Sequence, residues 1–251
     1  MGARMCGVPL SPTPAWPDLS DTVCIAHPTK RRCEMSVRKS WMCLMVCVAV
    51  SLGAAGWAAN RESGWVSLFD GKSLKGWSVH SGFAKYEAQD GMIVGTAVKG
   101  SPNSFLCTDK EYGDFILEFE VLCDPNLNSG VQFRSRIAKE EMFFIFQDAK
   151  GQAQTRKIPA DRVYGYQVEI ATSRSRSCGG VYDEARRGFF IADIRNNDTA
   201  AAAFKDNQWN KYRIECKGSS MKTFVNEVPC ADYRDSLDAR GIIGLQVHGL
   251  G

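Results

Sequence analysis

Several things that would assign a function at once are missing from this chain of 251 residues. It has no surplus of one charge where a folded domain would lie. The formal net charge of +3 belongs to residues 1–58, and residues 59–251 hold 25 basic and 25 acidic side chains. A nucleic-acid partner therefore has no electrostatic support, because phosphate recognition needs a basic face. There is no Cys-x-x-Cys and no zinc-type grouping, which argues against a structural metal cluster. Helix signals are nearly absent, with only "DTAAAAFKD" (198–206) as a candidate, and no internal repeat is visible. Uncharged apolar sequence of any length is confined to Trp41–Ala59.

That apolar run sits in a recognisable order. From Met35 the chain reads "SVRKS", then "WMCLMVCVAV", then "SLGAAGWAA". A basic start, a short apolar stretch and small residues before a cleavage point describe a secretory signal over residues 35–58. Gly56 and Ala58 suit cleavage before Ala59, and the expected location is secreted or periplasmic. An uncleaved anchor is the alternative, but the Gly/Ala-rich half after Ser51 is weakly apolar. No stable membrane span is expected after cleavage. Residues 1–34 show no periodicity and read as an unstructured extension or a misassigned start. Of ten cysteines, Cys107, Cys123, Cys178, Cys216 and Cys230 follow the cleavage point. Export would allow one or two disulfides among them, with a thiol left over.

Beyond residue 60 the chain is a series of short β-type runs punctuated by turn residues, such as "DFILEFEVLC", "GVQFRSR", "VYGYQVEI" and "KYRIEC". Asp-Gly at 70–71 and 90–91 marks tight turns. This rhythm predicts an all-β fold, an antiparallel β-sandwich or jelly roll over residues 63–251. Residues 137–161 break it and read as a long polar loop with an aromatic patch, Phe143, Phe144 and Phe146.

Three runs share a pattern. Alternate residues of a strand face the same side. Gln132, Arg134 and Arg136 fall on one side of "VQFRSR", Gln167 and Glu169 on one side of "YQVEI", and Gln246 and His248 on one side of "LQVHG". Each opposes an apolar face. Amides, guanidinium and carboxylate present fixed donor and acceptor geometry, which suits a cupped face that binds a hydroxyl-rich ligand. A plain solvated sheet surface is the competing reading. A fourth stretch, "GGVYDEARRG" (179–188), reads as another wall of that face, with Asp183, Glu184 and Arg186 toward the ligand and Arg187 as an ion-pair partner.

The blocks "LFDGKSLKGW", "NSGVQFRSR", "RVYGYQVEI", "GGVYDEARRG", "WNKYRIEC", "KTFVNEVPCADY" and "GLQVHG", in this order, resemble the 3-keto-disaccharide hydrolase family of exported bacterial proteins. The resemblance covers roughly residues 63–251. It implies a concanavalin A-like jelly roll, and since relatives continue past "LQVHGLG", a sandwich lacking its C-terminal closing strand. It also implies that residues 137–161 are longer than the usual connection. The implied substrate is a carbohydrate, a 3-keto-glycoside made upstream by a sugar-3-oxidoreductase. A ketone at C3 acidifies the C2 proton, so a base can remove it, the C1 substituent can leave, and water can add. On this chain Glu169 or His248 would be the base, Arg134 or Arg186 would steady the enolate oxygen, and Asp183 or Glu184 would be the acid. Gln132, Gln167, Gln246 and Arg136 would bind substrate. No cofactor follows with certainty, and a divalent cation held by Glu169, Asp183 and His248 could replace the arginine.

Two other functions compete. A non-catalytic carbohydrate-binding module could use the same fold, since fold does not dictate function. It would need no group poised for proton transfer, which Glu169 and His248 would supply. An ordinary retaining glucanase needs paired carboxyls, and Glu118 and Glu120 have alternate spacing but lack the further acidic and aromatic context.

Overall fold

The computed structural model describes residues 22–26, 64–148 and 150–250. The expected export signal, residues 35–58, lies outside the described residues.

Two seven-stranded sheets face each other. One runs in the order β15 (Val228–Arg234), β14 (Ser220–Val225), β13 (Asn210–Lys217), β6 (Phe115–Cys123), β1 (Thr22–Ala26), β4 (Met92–Thr96), β3 (Lys85–Gln89). The other runs β12 (Phe190–Ala192), β11 (Val181–Glu184), β10 (Val163–Ile170), β7 (Ser129–Ile137), β16 (Ile242–Val247), β5 (Ser104–Thr108), β2 (Trp77–His80). Neighbouring strands are antiparallel throughout both sheets. Among the described residues helix is limited to short pieces such as α1 (Asp198–Ala201). The chain is thus the all-β antiparallel sandwich of jelly-roll type that its rhythm predicts.

The core lies between the sheets and follows from the alternation. Phe119 and Tyr212 stack at 5.2 Å in the first sheet, and Phe133 and Tyr166 at 5.8 Å in the second. Val121 and Ile214 join Val131 and Val168 in the same buried cluster. Asp90 and Gly91 take φ of 50° and 78° between β3 and β4, the left-handed pair that a two-residue hairpin turn requires.

Three expectations need correcting. Within residues 1–34, expected to lack structure, Thr22–Ala26 is a strand inside the first sheet. Five residues are too short for a period to stand out, yet Val23 and Ile25 are core residues. Residues 137–161 are not a loop. They form the hairpin β8 (Met142–Gln147) and β9 (Ala153–Ile158), in which Phe143 and Ile145 are exposed while Phe144 and Phe146 turn inward. Phe146 meets Phe189 at 6.2 Å. Finally, Cys24, Cys107, Cys123, Cys178, Cys216 and Cys230 are all free thiols, so no disulfide forms among the described residues.

Candidate functional site

Strands β10, β7 and β16 are adjacent, so the three glutamine-bearing runs share one sheet. Register then sets the site. Gln167 lies opposite Gln132 and Gln132 opposite Gly244, while Glu169 and Gln246 flank Gly130 in the next row. These side chains point away from the core. Gly130 is needed between them, because a Cβ there would stand 2.4 Å from the side chain of Gln167.

The amides form a directed chain. Ser135 Oγ lies 2.7 Å from Gln132 Oε1, Gln132 Nε2 donates to Gln167 Oε1 at 2.7 Å, and Gln167 Nε2 donates to Glu169 Oε2 at 3.1 Å. Asn128 Nδ2 donates to the other oxygen, Glu169 Oε1, at 2.7 Å. Glu169 is 7% exposed, and its pKa is raised to about 7. Burial is the main cause. The Asn128 and Gln167 hydrogen bonds oppose it, and the charge of Glu184 adds to it. A carboxyl held at about 7 and fixed by two amides is suited to proton transfer near neutrality. Gln246 Oε1 is buried on the same face with no hydrogen-bond partner in the protein.

Glu184 also comes to this side, since it alternates with Asp183 and pairs with Gly165. It is ion-paired to Arg162 and lies 3.5 Å from Asn103 Nδ2. Burial raises its pKa, and Arg162, Asn103 and the nearby His248 pull the other way. His248 is exposed, just past β16, with Nδ1 2.9 Å from Gly249 O. The Arg162 guanidinium sits 5.7 Å from the centroid of Phe105, which is opposite Gln246. His80, opposite Phe105 in the same row, holds Asp161 Oδ1 at 2.6 Å.

Four expected members go elsewhere. Arg134 has φ of 49° and sits in a bulge, marked by the register shift between Ile242 and Gly244. Its guanidinium reaches Gly113 O at 2.9 Å, Gly218 O at 2.6 Å and Asp114 Oδ1 at 2.8 Å, away from the amides. The extra residue reverses the alternation, so Ser135 joins Gln132 and Arg136 does not. Arg136 binds Asp238 at 2.6 Å. Asp183, opposite the core residue Tyr166, binds Arg186 at 3.0 Å and Arg187 at 3.2 Å. Arg186 also holds Asp238 at 2.5 Å and lies 5.0 Å from the Tyr166 ring. Asp183, Arg186, Arg187, Arg136 and Asp238 therefore make one buried-to-rim charge network. With Asp183 facing away from Glu169, the set of Glu169, Asp183 and His248 does not converge on a cation, and no cluster of three such ligands occurs among the described residues. In the glucanase alternative, Glu118 is tied to Arg213 at 2.6 Å on the opposite sheet.

Asn128, Ser135 and Arg162 were not anticipated. Asn128 precedes β7 with the parity of Gly130 and Gln132, so the alternation carried back two residues would have found it. Ser135 is brought in by the bulge and Arg162 by a loop, and neither leaves a periodic trace.

Residues 64–250 match the 3-keto-alpha-glucoside-1,2-lyase-like domain. No curated protein matches the chain. Among solved structures it is similar to carbohydrate binding module CBM66 from Bacillus subtilis, at 14% identity over 68% of this chain and 86% of that one, TM-score 0.38. It is also similar to a Bacillus subtilis protein of unknown function with a galectin-like fold, at 10% identity over 69% and 83% of the two chains, TM-score 0.33. Among the described residues no helix is long and apolar enough to cross a membrane.

Proposed function

The chain belongs to the 3-keto-alpha-glucoside-1,2-lyase-like domain family, and on that premise we propose that it is an exported enzyme cleaving glycosidic bonds of 3-keto-sugars by elimination and hydration. The observation that carries this reading is Glu169, an oriented, buried carboxyl at about pKa 7 on a face of amides. In its ionised form it takes the proton from C2. The C–H electron pair enters the enolate of the C3 ketone, and the enolate then collapses to a C1–C2 double bond as the C1 substituent leaves. Water adds at C1 and a proton returns to C2, so the net change is hydrolysis. Glu184, protonated more readily because it is buried, is the acid for the leaving oxygen, with His248 beside it. Gln246, whose buried carbonyl lacks a protein partner, is the amide we assign to a sugar hydroxyl, while Gln132 and Gln167, 0% and 2% exposed and bonded to each other, orient Glu169 instead of touching substrate. Arg134, Arg136, Asp183 and Arg186 serve the scaffold in this scheme. The metal alternative finds no fitting donor set, so no step passes through a cation.

Export rests on residues 35–58, and the substrate implies that a separate oxidoreductase oxidises C3 first. The test is incubation of the purified protein with a 3-keto-glucoside and its unoxidised parent. Aglycone should appear only from the keto compound, and Glu169→Gln should slow release by roughly 10²- to 10⁴-fold. Release from neither compound contradicts the enzyme reading and leaves a sugar-binding module. Release from the parent alone favours ordinary glycoside hydrolysis.

A further inference from the structure

Strand β1 occupies an unusual place. It lies between β4 and β6, pairing Thr22–Ala26 with Met92–Thr96 on one side and Val23–Ala26 with Glu120–Cys123 on the other. No tight turn ties it to either neighbour, since its partners are far along the chain and the approach runs through residues 27–63. The two neighbours do not pair with each other. Without β1, the hairpin of β3 and β4 would lose its only ladder to the sheet, and β4 and β6 would each present unpaired backbone groups in mid-sheet. What remains is a slot one strand wide.

The slot also has a side-chain code. Val23 and Ile25 enter the core with Ile93, Phe119 and Val121, and Thr22, Val23, Cys24 and Ile25 are each no more than 7% exposed. Beside the slot, β4 is further anchored by its hairpin partner, whose Tyr86 Oη donates across the sandwich to Ser104 O at 2.9 Å or Leu245 O at 3.0 Å. The walls of the slot are thus held by contacts that do not involve β1.

We propose that the gap between β4 and β6 is a strand-acceptor site, and that Thr22–Ala26 is its peptide ligand, bound by strand addition rather than by covalent continuity with the domain. Main-chain pairing on both sides supplies the affinity, and the apolar side chains at alternate positions, Val23 and Ile25, supply the selectivity.

The test uses the full chain with a specific protease site introduced between Ala58 and Ala59. After cutting, residues 1–58 should co-elute with the remainder on size exclusion. A fluorescent peptide of residues 19–28 in excess should exchange into the cut protein, and the same peptide carrying Val23→Pro should enter at least tenfold less, because proline has no donor for a ladder on either side. Val23→Pro in the uncut chain should lower its melting temperature. Release of residues 1–58 on cutting, exclusion of the wild-type peptide, or equal entry of the proline peptide overturns the proposal.

Discussion

Glu169 sits where ionising is expensive, because burial removes hydration that two amide donors only partly replace. Its carboxyl ionises at about 7 in the folded protein against an ordinary 4.5. The folded state therefore holds this proton more tightly than the unfolded chain does. The contribution to stability is complete below about pH 4.5 and is lost as pH rises through about 7, a difference on the order of 3 kcal/mol. Catalysis runs the other way, since the base acts ionised. We expect turnover of a 3-keto-glucoside to rise through about pH 7 while the wild-type melting temperature falls between pH 5 and 8. Glu169→Gln should flatten the second trend, with the variant more stable than wild type at pH 8. Thermal melts at both pH values check this, and an equal slope in the two proteins would contradict the burial argument. Gln132 and Gln167 matter at the same scale, because each amide has one orientation that satisfies both its neighbours.

The strands show where reading by twos succeeds. In β10 the alternation is unbroken from Val163 to Ile170, so Gln167 and Glu169 share a face, as the sequence implies. In β16 the same holds for Gln246. In β7 it holds only as far as Phe133. The bulge at Arg134 costs one residue of register, takes Arg134 and Arg136 off the amide face and puts Ser135 on it. Nothing in "VQFRSR" announces that. The bulge is itself pinned, because Arg134 is fully buried and satisfies two loop carbonyls and Asp114. Arg134→Met should therefore cost about 3 kcal/mol of stability by leaving those acceptors unpaired. At a temperature where the variant is folded, KM for the keto-glucoside should stay within about twofold, the range of error in comparing such sites. Denaturant unfolding and steady-state kinetics together separate this scaffold role from substrate binding, which would raise KM instead.

Across the molecule, the two sheets divide the labour. The second sheet carries the amide face, and its other side, with Phe133, Tyr166 and Val168, completes the core against Phe119 and Tyr212. The charge-rich stretch 179–188 is split by the same geometry. Glu184 joins the amide side, while Asp183, Arg186 and Arg187 lock the edge of the sandwich to Asp235 and Asp238. The sandwich and the identity of its three polar strands were legible because they rest on local alternation. The hairpin over 142–158, the strand at 22–26 and the approach of Arg162 were not, because each depends on a partner distant in sequence.

The central claim is that Glu169 removes the C2 proton of a 3-keto-glycoside. It is tested most directly by running the reaction in heavy water and following C2 of the sugar by NMR at early times. Elimination and hydration predict that the released 3-keto-sugar carries deuterium at C2, and that Glu169→Gln slows release and incorporation together, by roughly 10²- to 10⁴-fold. Aglycone release with the original hydrogen retained at C2 would contradict the account, because it would mean direct displacement at C1.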